Sequence, residues 1–309
     1  MKRIFAIILA IGMLLTGMLS MTSCGVEKNI TVVAREQSSG TREAFDKVVT
    51  NGEHFLMEKD EQGEYVFYTT VEAIFPNSTG VVLSTVASDV NAIGYISLGS
   101  VNDSINVIKV NGILPTNETV LDGSYKIQRP FVIMTNSTIT LTERAQDFMN
   151  YVKSSEAKAH TDVAGAVFLE DSTKRANEDK SPIPVIEYTR LSTLPKGEKI
   201  VVRGSTSMEK LINSLAKGYA DMYGVDPANI FDIELEGSSV GRKAVENDTV
   251  GNVIGLSSAS VNQNNVESFN ICLDAVAVIV NKDNNIDNLT LEQLYRIYTG
   301  EIRKFSEIE

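Results

Sequence analysis

Four times along this chain an apolar, strand-like run ends in a turn that is rich in glycine, serine and threonine. The turns occupy residues 35–41, 203–207, 236–241 and 255–258, and the first three lead into segments with helical periodicity. Strands that alternate with helices in this way predict an α/β fold, in which sheets are flanked by helices. A chain of 309 residues is long enough to form two such lobes, each with its own core.

The same alternation extends through the rest of the sequence. Further strands are predicted at residues 29–34, 91–98, 105–110 and 199–202. Helices are predicted after Thr140 and Thr290, because Glu143 and Gln293 follow three residues later and complete a capping box. Residues 171–197 are polar and contain three prolines, so they are expected to cross the surface as a connector.

The four turns favour binding of a small oxyanion. The first turn of a helix has N–H groups without intrahelical partners and a partial positive charge, and both attract anions. Glycine allows the backbone to approach closely, and serine or threonine hydroxyls are additional donors. One such turn is an ordinary helix cap, but the pattern is repeated here. Arg35 also lies just before Ser39, Gly40 and Thr41, which predicts a two-pronged arginine contact to the anion.

The charge distribution argues against nucleic acid as a partner. The formal net charge is −12, and no stretch of the sequence concentrates lysine and arginine. An acidic protein gains no long-range attraction for an anion. The ligand must therefore be captured locally, by backbone amides, hydroxyls and a well-placed arginine.

The sequence gives little support for catalysis, a metal or a cofactor. His54 and His160 are expected at the surface and away from the turns, so neither a Ser-His-Asp triad nor a metal cluster has its components. The phosphate loop and the dinucleotide fingerprint are absent. Ser207 and Lys210 match the S-x-x-K motif of serine acylases, but K-T-G and S-D-N are missing. An acylase is the weakest alternative.

The N-terminal segment indicates export. Two basic residues precede an apolar run at residues 4–18, and small residues lead to Cys24, as in a bacterial lipoprotein signal peptide at residues 1–23. Cys24 would then carry lipid and anchor the protein at the extracytoplasmic face of the cell membrane. A plain signal peptide beside a buried cysteine is the alternative. Cys272, the only other cysteine, is predicted to be a core thiol.

Several motifs resemble those of the phosphate-binding proteins that supply phosphate ABC importers. Residues 33–43 (VAREQSSGTRE) are similar to the family signature RE-x-GSGTRE, and residues 92–99 (AIGYISLG) to its AIGYVSLG segment. Residues 274–281 (DAVAVIVN) look like its crossover strand, DGIAVIVN. Its two ligand loops and its LT-x-EQL…IFTGEI helix are matched by residues 204–207, 237–239 and 289–302. The resemblance covers nearly the whole chain after the signal peptide.

This resemblance implies a two-lobed type II periplasmic-binding-protein fold, in which two crossover strands join lobes that each contain a mixed sheet. The apolar runs at residues 131–135 and 275–280 best fit the crossovers. One lobe would be the continuous residues 130–279. The other would combine residues 30–129 with residues 280–309.

The order of the two halves is unusual for this family. In most members the equivalent of residues 204–309 comes first and that of residues 30–169 second, whereas here they are exchanged. Each half occurs once, and joining Glu309 to Ile30 would restore the usual order. The resemblance therefore implies a circular permutation.

The resemblance also implies a phosphate site that is formed by both lobes. Its residues would be Arg35, Ser39, Gly40 and Thr41 from one lobe, and Thr206, Ser207, Ser238 and Ser258 from the other. Many relatives have an aspartate at the position of Ser258, which accepts the proton of phosphate and rejects sulfate. Its absence leaves other oxyanions open as ligands.

The function implied by the resemblance is capture of inorganic phosphate and its delivery, by a monomer, to the permease of an ABC importer. A sensory or adhesive lipoprotein that has the same fold is the alternative.

Overall fold

The computed structural model describes residues 28–176 and 181–308, so the signal segment and Cys24 lie outside the described residues. The strands are β1 (Thr31–Val32), β2 (Met57–Lys59), β3 (Tyr65–Phe67), β4 (Ala92–Ser97), β5 (Ile105–Val107), β6 (Lys109–Val110), β7 (Gln128–Asn136), β8 (Val167–Phe168), β9 (Ile200–Gly204), β10 (Phe231–Leu235), β11 (Val253–Ser257), β12 (Val266–Asn281) and β13 (Asn288–Leu289). The α-helices are α1 (Gly40–Asp46), α2 (Thr79–Ser88), α3 (Asn117–Leu121), α4 (Glu143–Lys153), α5 (Ala157–Val163), α6 (Glu209–Tyr223), α7 (Ser238–Glu246) and α8 (Leu291–Tyr298).

The main sheet is mixed and is continuous through both lobes. Its hydrogen-bonded order is β1-β4-β12-β7-β11-β9-β10, and β5 and β8 also pair with β12. The first half of β12 pairs with β7 and β8, whereas its second half pairs with β4 and β5. The strand therefore passes from one lobe into the other, and β7 runs antiparallel beside it. The two-lobed α/β fold with two crossover strands is confirmed.

Each lobe has its own apolar core. In the first lobe, built on β1, β4 and β5, Phe45, Tyr95 and Tyr298 pack together with Val278 of β12. In the second lobe, built on β8–β11, a cluster that includes Phe148 forms between α4, α6 and the strands β9 and β11. Both helices have apolar residues at helical spacing, which explains why one face of each is buried.

The N-terminal ends of α4 and α8 test the two capping boxes that the sequence predicts. Thr290 and Gln293 form the expected capping box of α8, with the Thr290 N–H donating to Gln293 Oε1 at 2.8 Å. The expected box of α4 is wrong, because Thr142 rather than Thr140 caps this helix. Thr142 Oγ1 accepts from the Ala145 N–H, and the Thr142 N–H donates to the carbonyl of Gly251 at 2.8 Å.

The connector is held against the second lobe by a buried arginine. Arg175 donates to the carbonyls of Leu169 and Lys153, at 3.2 and 3.0 Å. Its guanidinium also lies 5.3 Å from the ring centres of both Phe168 and Phe269. Among the described residues, no helix is long and apolar enough to span a bilayer.

A buried ion pair lies where the crossover strands change lobes. Arg129 of β7 is directly opposite Asp274 of β12, and its Nε and Nη2 atoms donate to Asp274 Oδ2 at 3.1 and 2.9 Å. Ser97 of the first lobe donates to Asp274 Oδ1 at 2.7 Å. Burial raises the pKa of Asp274 and lowers that of Arg129, so each charge depends on its partner.

We expect Arg129→Met to lower the free energy of unfolding by about 3–5 kcal/mol, because Asp274 would be left buried and unpaired. Urea unfolding at pH 7 measures this loss. Adding Asp274→Asn removes the uncompensated charge and keeps an acceptor for Ser97, so the double variant should recover most of the stability. A single variant as stable as the unaltered protein would contradict this account.

Candidate functional site

Three of the four turns lie at one edge of the second lobe. Strand β9 is parallel to both of its neighbours, β10 and β11, so all three end at the same edge of the sheet. The turns that follow these ends bring together Ser205, Ser207, Ser238 and Ser258. Their proximity is therefore a consequence of strand order.

The serine residues at this edge of the sheet form hydrogen bonds with one another. Ser205 Oγ donates to Ser258 Oγ at 2.9 Å, and the Ser258 N–H donates to Ser238 Oγ at 3.1 Å. Ser205 also accepts from the Ser207 N–H at 3.3 Å. All four residues are buried. Burial is tolerated because these polar groups have partners.

The fourth turn belongs to the first lobe and leads into α1. Ser39 caps the helix, with its Oγ accepting from the N–H groups of Thr41 and Arg42 at 3.2 and 3.4 Å. Gly40 is the first helical residue, and Arg35, Ser39 and Thr41 are all buried. The turn is a helix start with a buried arginine beside it.

Arg35 makes a two-pronged contact with a neighbouring residue. Its Nε and Nη2 atoms donate to the two carboxylate oxygens of Glu36 at 2.8 and 2.9 Å. These two atoms therefore form a charge-assisted ion pair, and the contact of Arg35 with an anion stays a prediction. Nη1 lies on the opposite side, 3.4 Å from Thr79 Oγ1.

The two lobes meet directly at these turns. Thr41 Oγ1 lies 3.0 Å from Ser207 Oγ, and Thr79 Oγ1 lies 3.2 Å from Thr206 Oγ1. A Cβ atom on Gly40 would lie 2.7 Å from the carbonyl carbon and the Oγ of Ser258, so only glycine fits there. The structure thus brings together all eight sequence-predicted residues, which are Arg35, Ser39, Gly40, Thr41, Thr206, Ser207, Ser238 and Ser258.

The sequence patterns did not identify Thr79 or the role of Glu36. Thr79 begins α2 and follows Asn77 and Ser78, so the NSTG segment resembles the other helix starts in composition. The chain before this segment makes an isolated parallel bridge between Ile74 and Val33 instead of a full strand, so the pattern of strand, turn and helix missed it. Its hydroxyls and glycine were the available signal.

The second arginine of the signature has a structural role. Arg42 Nε donates to Asp46 at 2.9 Å, Nη1 donates to the Arg35 carbonyl at 3.0 Å, and the guanidinium lies about 5 Å from the Phe67 and Phe75 ring centres. Burial raises the pKa of Asp46 to about 6, although Arg42 acts in the opposite direction. Arg42 thus holds the backbone of Arg35.

Tyr95 also holds the backbone of Arg35, through a hydrogen bond to its hydroxyl. Its hydroxyl accepts from the Arg35 N–H at 3.1 Å, and its ring stacks on Phe45 at 4.0 Å between ring centres. Burial raises the pKa of Tyr95, so the hydroxyl keeps its proton.

The contacts of Lys210 and Ser207 do not form an acylase pair. Lys210 Nζ donates to the carbonyl of Gly99 in the other lobe. Ser207 Oγ is instead 3.0 Å from Thr41 Oγ1 and 3.4 Å from Thr79 Oγ1. No base therefore contacts this serine within the part of the chain that the structure describes.

The two histidines lie away from the turns. His54 is exposed beside Glu58. His160, expected at the surface, is half-buried between Tyr151 and Ser214, at 2.6 and 2.8 Å, and burial lowers its pKa. The described ranges contain no group of three or more residues that could hold a metal ion.

Comparisons with known proteins agree with this architecture. A family model described as the PBP superfamily domain matches residues 15–156 and 184–307. The phosphate-binding protein PstS 2 of Streptococcus pneumoniae serotype 4 is 32% identical over 283 residues, which cover 91% of this chain and 88% of that protein. The PstS 2 of Streptococcus agalactiae serotype V is 30% identical over 299 residues, covering 96% and 93%.

A match to a Bacillus subtilis relative is partial. Its phosphate-binding protein PstS is 27% identical over 133 residues, which cover 43% of this chain and 39% of that protein.

A solved structure shows the same fold. It is the crystal structure of a phosphate-binding protein of a phosphate ABC transporter from Streptococcus pneumoniae, which matches with a TM-score of 0.63 and 32% identity. The match covers 91% of this chain and 100% of that chain. Since the family model spans most of the sequence and two relatives align over nearly their whole length, this chain belongs to the PBP superfamily and, within it, to the family of phosphate ABC transporter substrate-binding proteins.

Proposed function

We propose that this protein captures inorganic phosphate between its two lobes, outside the membrane, and delivers it to the permease of an ABC importer. The observation that carries the proposal is the convergence of Arg35 and the hydroxyls of four turns in one buried cluster between the lobes. The names of the similar proteins support phosphate as the ligand. No bond is made or broken in this function.

Dipolar groups provide most of the stabilisation of the bound anion in this proposal. The charge of Arg35 is balanced by Glu36, so the pair carries no net charge. The remaining donors are hydroxyls and the N–H groups at helix starts. These groups are dipoles and carry only partial charges. Such a site stabilises an anion although the whole chain is acidic, because the donors act at short range.

The hydroxyls also offer acceptors to a protonated oxyanion. Each serine or threonine hydroxyl has one proton and two lone pairs, so it can donate to one oxygen and accept from another. None of the eight proposed ligand residues has a carboxylate, and Glu36 already accepts from Arg35. We therefore propose phosphate as the ligand and other tetrahedral oxyanions as its competitors.

Calorimetric titration of the signal-free protein with phosphate, sulfate, arsenate and molybdate tests this function. Bound ligand is first removed by unfolding, dialysis and refolding. Saturable one-to-one heat with phosphate supports the proposal. A refolded protein that gives no heat with any of the four anions would sink it.

We also propose how the chain is divided between the lobes. One lobe comprises residues 30–129 and 280–309, and the other comprises residues 130–279, of which residues 276–279 form the crossover part of β12 and pair with β4. The exchange of halves is supported by the Ile30 N–H, which donates to the Arg303 carbonyl at 2.7 Å, so the two ends lie side by side. The partial Bacillus subtilis match is also the result that exchanged halves would produce.

We propose that the protein is a monomer anchored through lipid on Cys24. Stable anchoring requires two or more acyl chains, which a lipidated N-terminal cysteine provides. Cys24→Ala should release the protein into the soluble fraction or leave its precursor unprocessed, as measured by fractionation and mass spectrometry. Cys272→Ala is the control, because that thiol is buried. An unchanged membrane fraction for Cys24→Ala would contradict the anchor.

Arg35→Ala should weaken phosphate binding by about 2–4 kcal/mol, because it removes the only charged donor among the eight residues. The matched control is Ser38→Ala, since Ser38 lies exposed in the same turn. This substitution should weaken phosphate binding by well under about 1 kcal/mol. Arg35→Lys should not restore affinity, because one ammonium cannot contact Glu36 and Thr79 together. Calorimetry gives the affinities. An Arg35→Ala protein with a normal melting temperature and unaltered affinity would disprove this placement.

Gly40→Ala should weaken phosphate binding by about 1–3 kcal/mol, because its Cβ would meet the Ser258 backbone and prevent full closure. Gly80→Ala is the control, since a Cβ there meets no atom within 4 Å. Small-angle scattering with saturating phosphate should show a larger radius of gyration for Gly40→Ala only. Equal affinities and equal radii for the two variants would contradict the need for glycine at this contact.

A further inference from the structure

We propose that Thr79, which lies outside the four turns, is a further residue of the anion site: it positions Arg35 and holds the lobes closed. This inference rests on the proposed function and names a residue that neither the sequence patterns nor the resemblance identified. It follows from the contacts of one buried hydroxyl, of the guanidinium beside it and of one helix start.

The hydroxyl of Thr79 is at the centre of the contacts between the lobes. Its Oγ1 lies 3.4 Å from Arg35 Nη1, 3.2 Å from Thr206 Oγ1 and 3.4 Å from Ser207 Oγ. The residue is only 6% exposed. A hydroxyl has one proton and two lone pairs, so three partners use its full capacity. Because Arg35 can only donate, Thr79 accepts from Arg35, and it donates to one of the other two hydroxyls and accepts from the second.

The backbone N–H of Thr79 also makes a contact between the lobes. It is the first residue of α2, and its N–H points at Thr206 Oγ1, 3.4 Å away in the other lobe. Ser78 caps this helix by accepting from the Val81 N–H at 3.3 Å. The helix start thus faces the cleft in the same way as the starts of α1 and α7, although no strand leads into it.

These contacts determine how Arg35 faces the anion. Glu36 binds Nε and Nη2, and the Asn77 carbonyl accepts a further hydrogen bond from Nη2 at 3.4 Å. Thr79 then accepts from one of the two hydrogens on Nη1. The other Nη1 hydrogen is left for the anion. Thr79 therefore fixes the direction of the donor that Arg35 offers, while Glu36 fixes the plane of the guanidinium.

The Thr79 hydroxyl also stabilises the closed arrangement of the two lobes. Thr79 is in the first lobe, whereas Thr206 and Ser207 are in the second, so their contacts form only when the lobes meet. Contacts that form after the anion has entered affect its release more than its entry. Loss of the hydroxyl should therefore accelerate dissociation and leave association nearly unchanged.

The test compares three variants. Thr79→Val removes the hydroxyl and keeps the β-branched shape and the N–H, Thr79→Ser keeps the hydroxyl, and Thr85→Val is the control on the same helix. Thr85 Oγ1 bonds only the Val81 carbonyl within its own helix. Phosphate affinity is measured by calorimetry, and release by stopped-flow trapping of phosphate from the preloaded protein.

We expect Thr79→Val to raise the phosphate Kd by about 10- to 100-fold, through faster release, because the lost hydroxyl bonds include one from a charged donor. Thr79→Ser should stay within about 3-fold of the unaltered protein, and Thr85→Val should equal it. If Thr79→Val binds and releases phosphate like the unaltered protein, the inference is wrong. The inference is also wrong if Thr79→Ser weakens phosphate binding as much as Thr79→Val does, because the hydroxyl would then make no difference.

A double variant separates positioning from a general structural effect. If Thr79 acts partly through Arg35, Thr79→Val should weaken binding by a smaller factor in the Arg35→Ala background than in the unaltered protein, and the factor that remains reports its contacts with Thr206 and Ser207. Independent, multiplying effects would overturn the positioning role. If the unaltered protein binds no phosphate, the proposed function fails first. If it binds phosphate and only the Thr79 results are negative, this inference alone fails.

Discussion

The pairing of β7 with β12 is the interaction on which the rest of the molecule depends. Both lobes use these strands, so the two halves of the site are positioned relative to each other by one antiparallel ladder. The ladder shifts register between Asn270 and Cys272, shortly before Asp274, where the strand leaves the second lobe. A charged pair at this position, with Ser97 as a third partner, ties the crossover strands to the first lobe through directed bonds rather than apolar packing alone.

The cleft uses a different kind of contact. Across it, the turns of the two lobes meet through hydroxyls and a glycine, and Lys210 donates to the Gly99 carbonyl. Each hydroxyl bond contributes little net stability, because water offers an equivalent partner when the lobes separate. These polar contacts can therefore be exchanged for contacts with water when the lobes separate. An anion that satisfies several of these donors at once would change the balance between open and closed forms by its own binding energy.

Much of this arrangement was accessible from the sequence because it depends on local patterns. The segments after β9, β10 and β11 are recognisable by their composition, and parallel strands bring their ends to one edge. The contact between Arg35 and Glu36 was not accessible, because it depends on side-chain rotamers and on neighbouring residues. Thr140 and Thr142 were likewise equivalent by composition, and the hydrogen bond from the Thr142 N–H to the distant Gly251 could not be inferred from the local pattern. Thr79 was missed because the chain before it pairs beside β1 through one isolated bridge, between Ile74 and Val33, which the local sequence does not reveal.

The order of the halves along the chain has little influence on such a site. Each site residue belongs to a helix start or a strand end, and its position is set by the sheet and by the helix packed on it. The chain near Ile30 and the chain near Arg303 are adjacent on the first lobe, so a break there leaves β1, α8 and the core around Tyr298 in place. In the proposed permutation the connector is the new junction, and side-chain contacts must anchor it because it crosses the second lobe with almost no regular structure. Arg175, held between two aromatic rings and two backbone carbonyls, supplies that anchor, which explains why the largest of the fully buried side chains in the described residues lies in a connector.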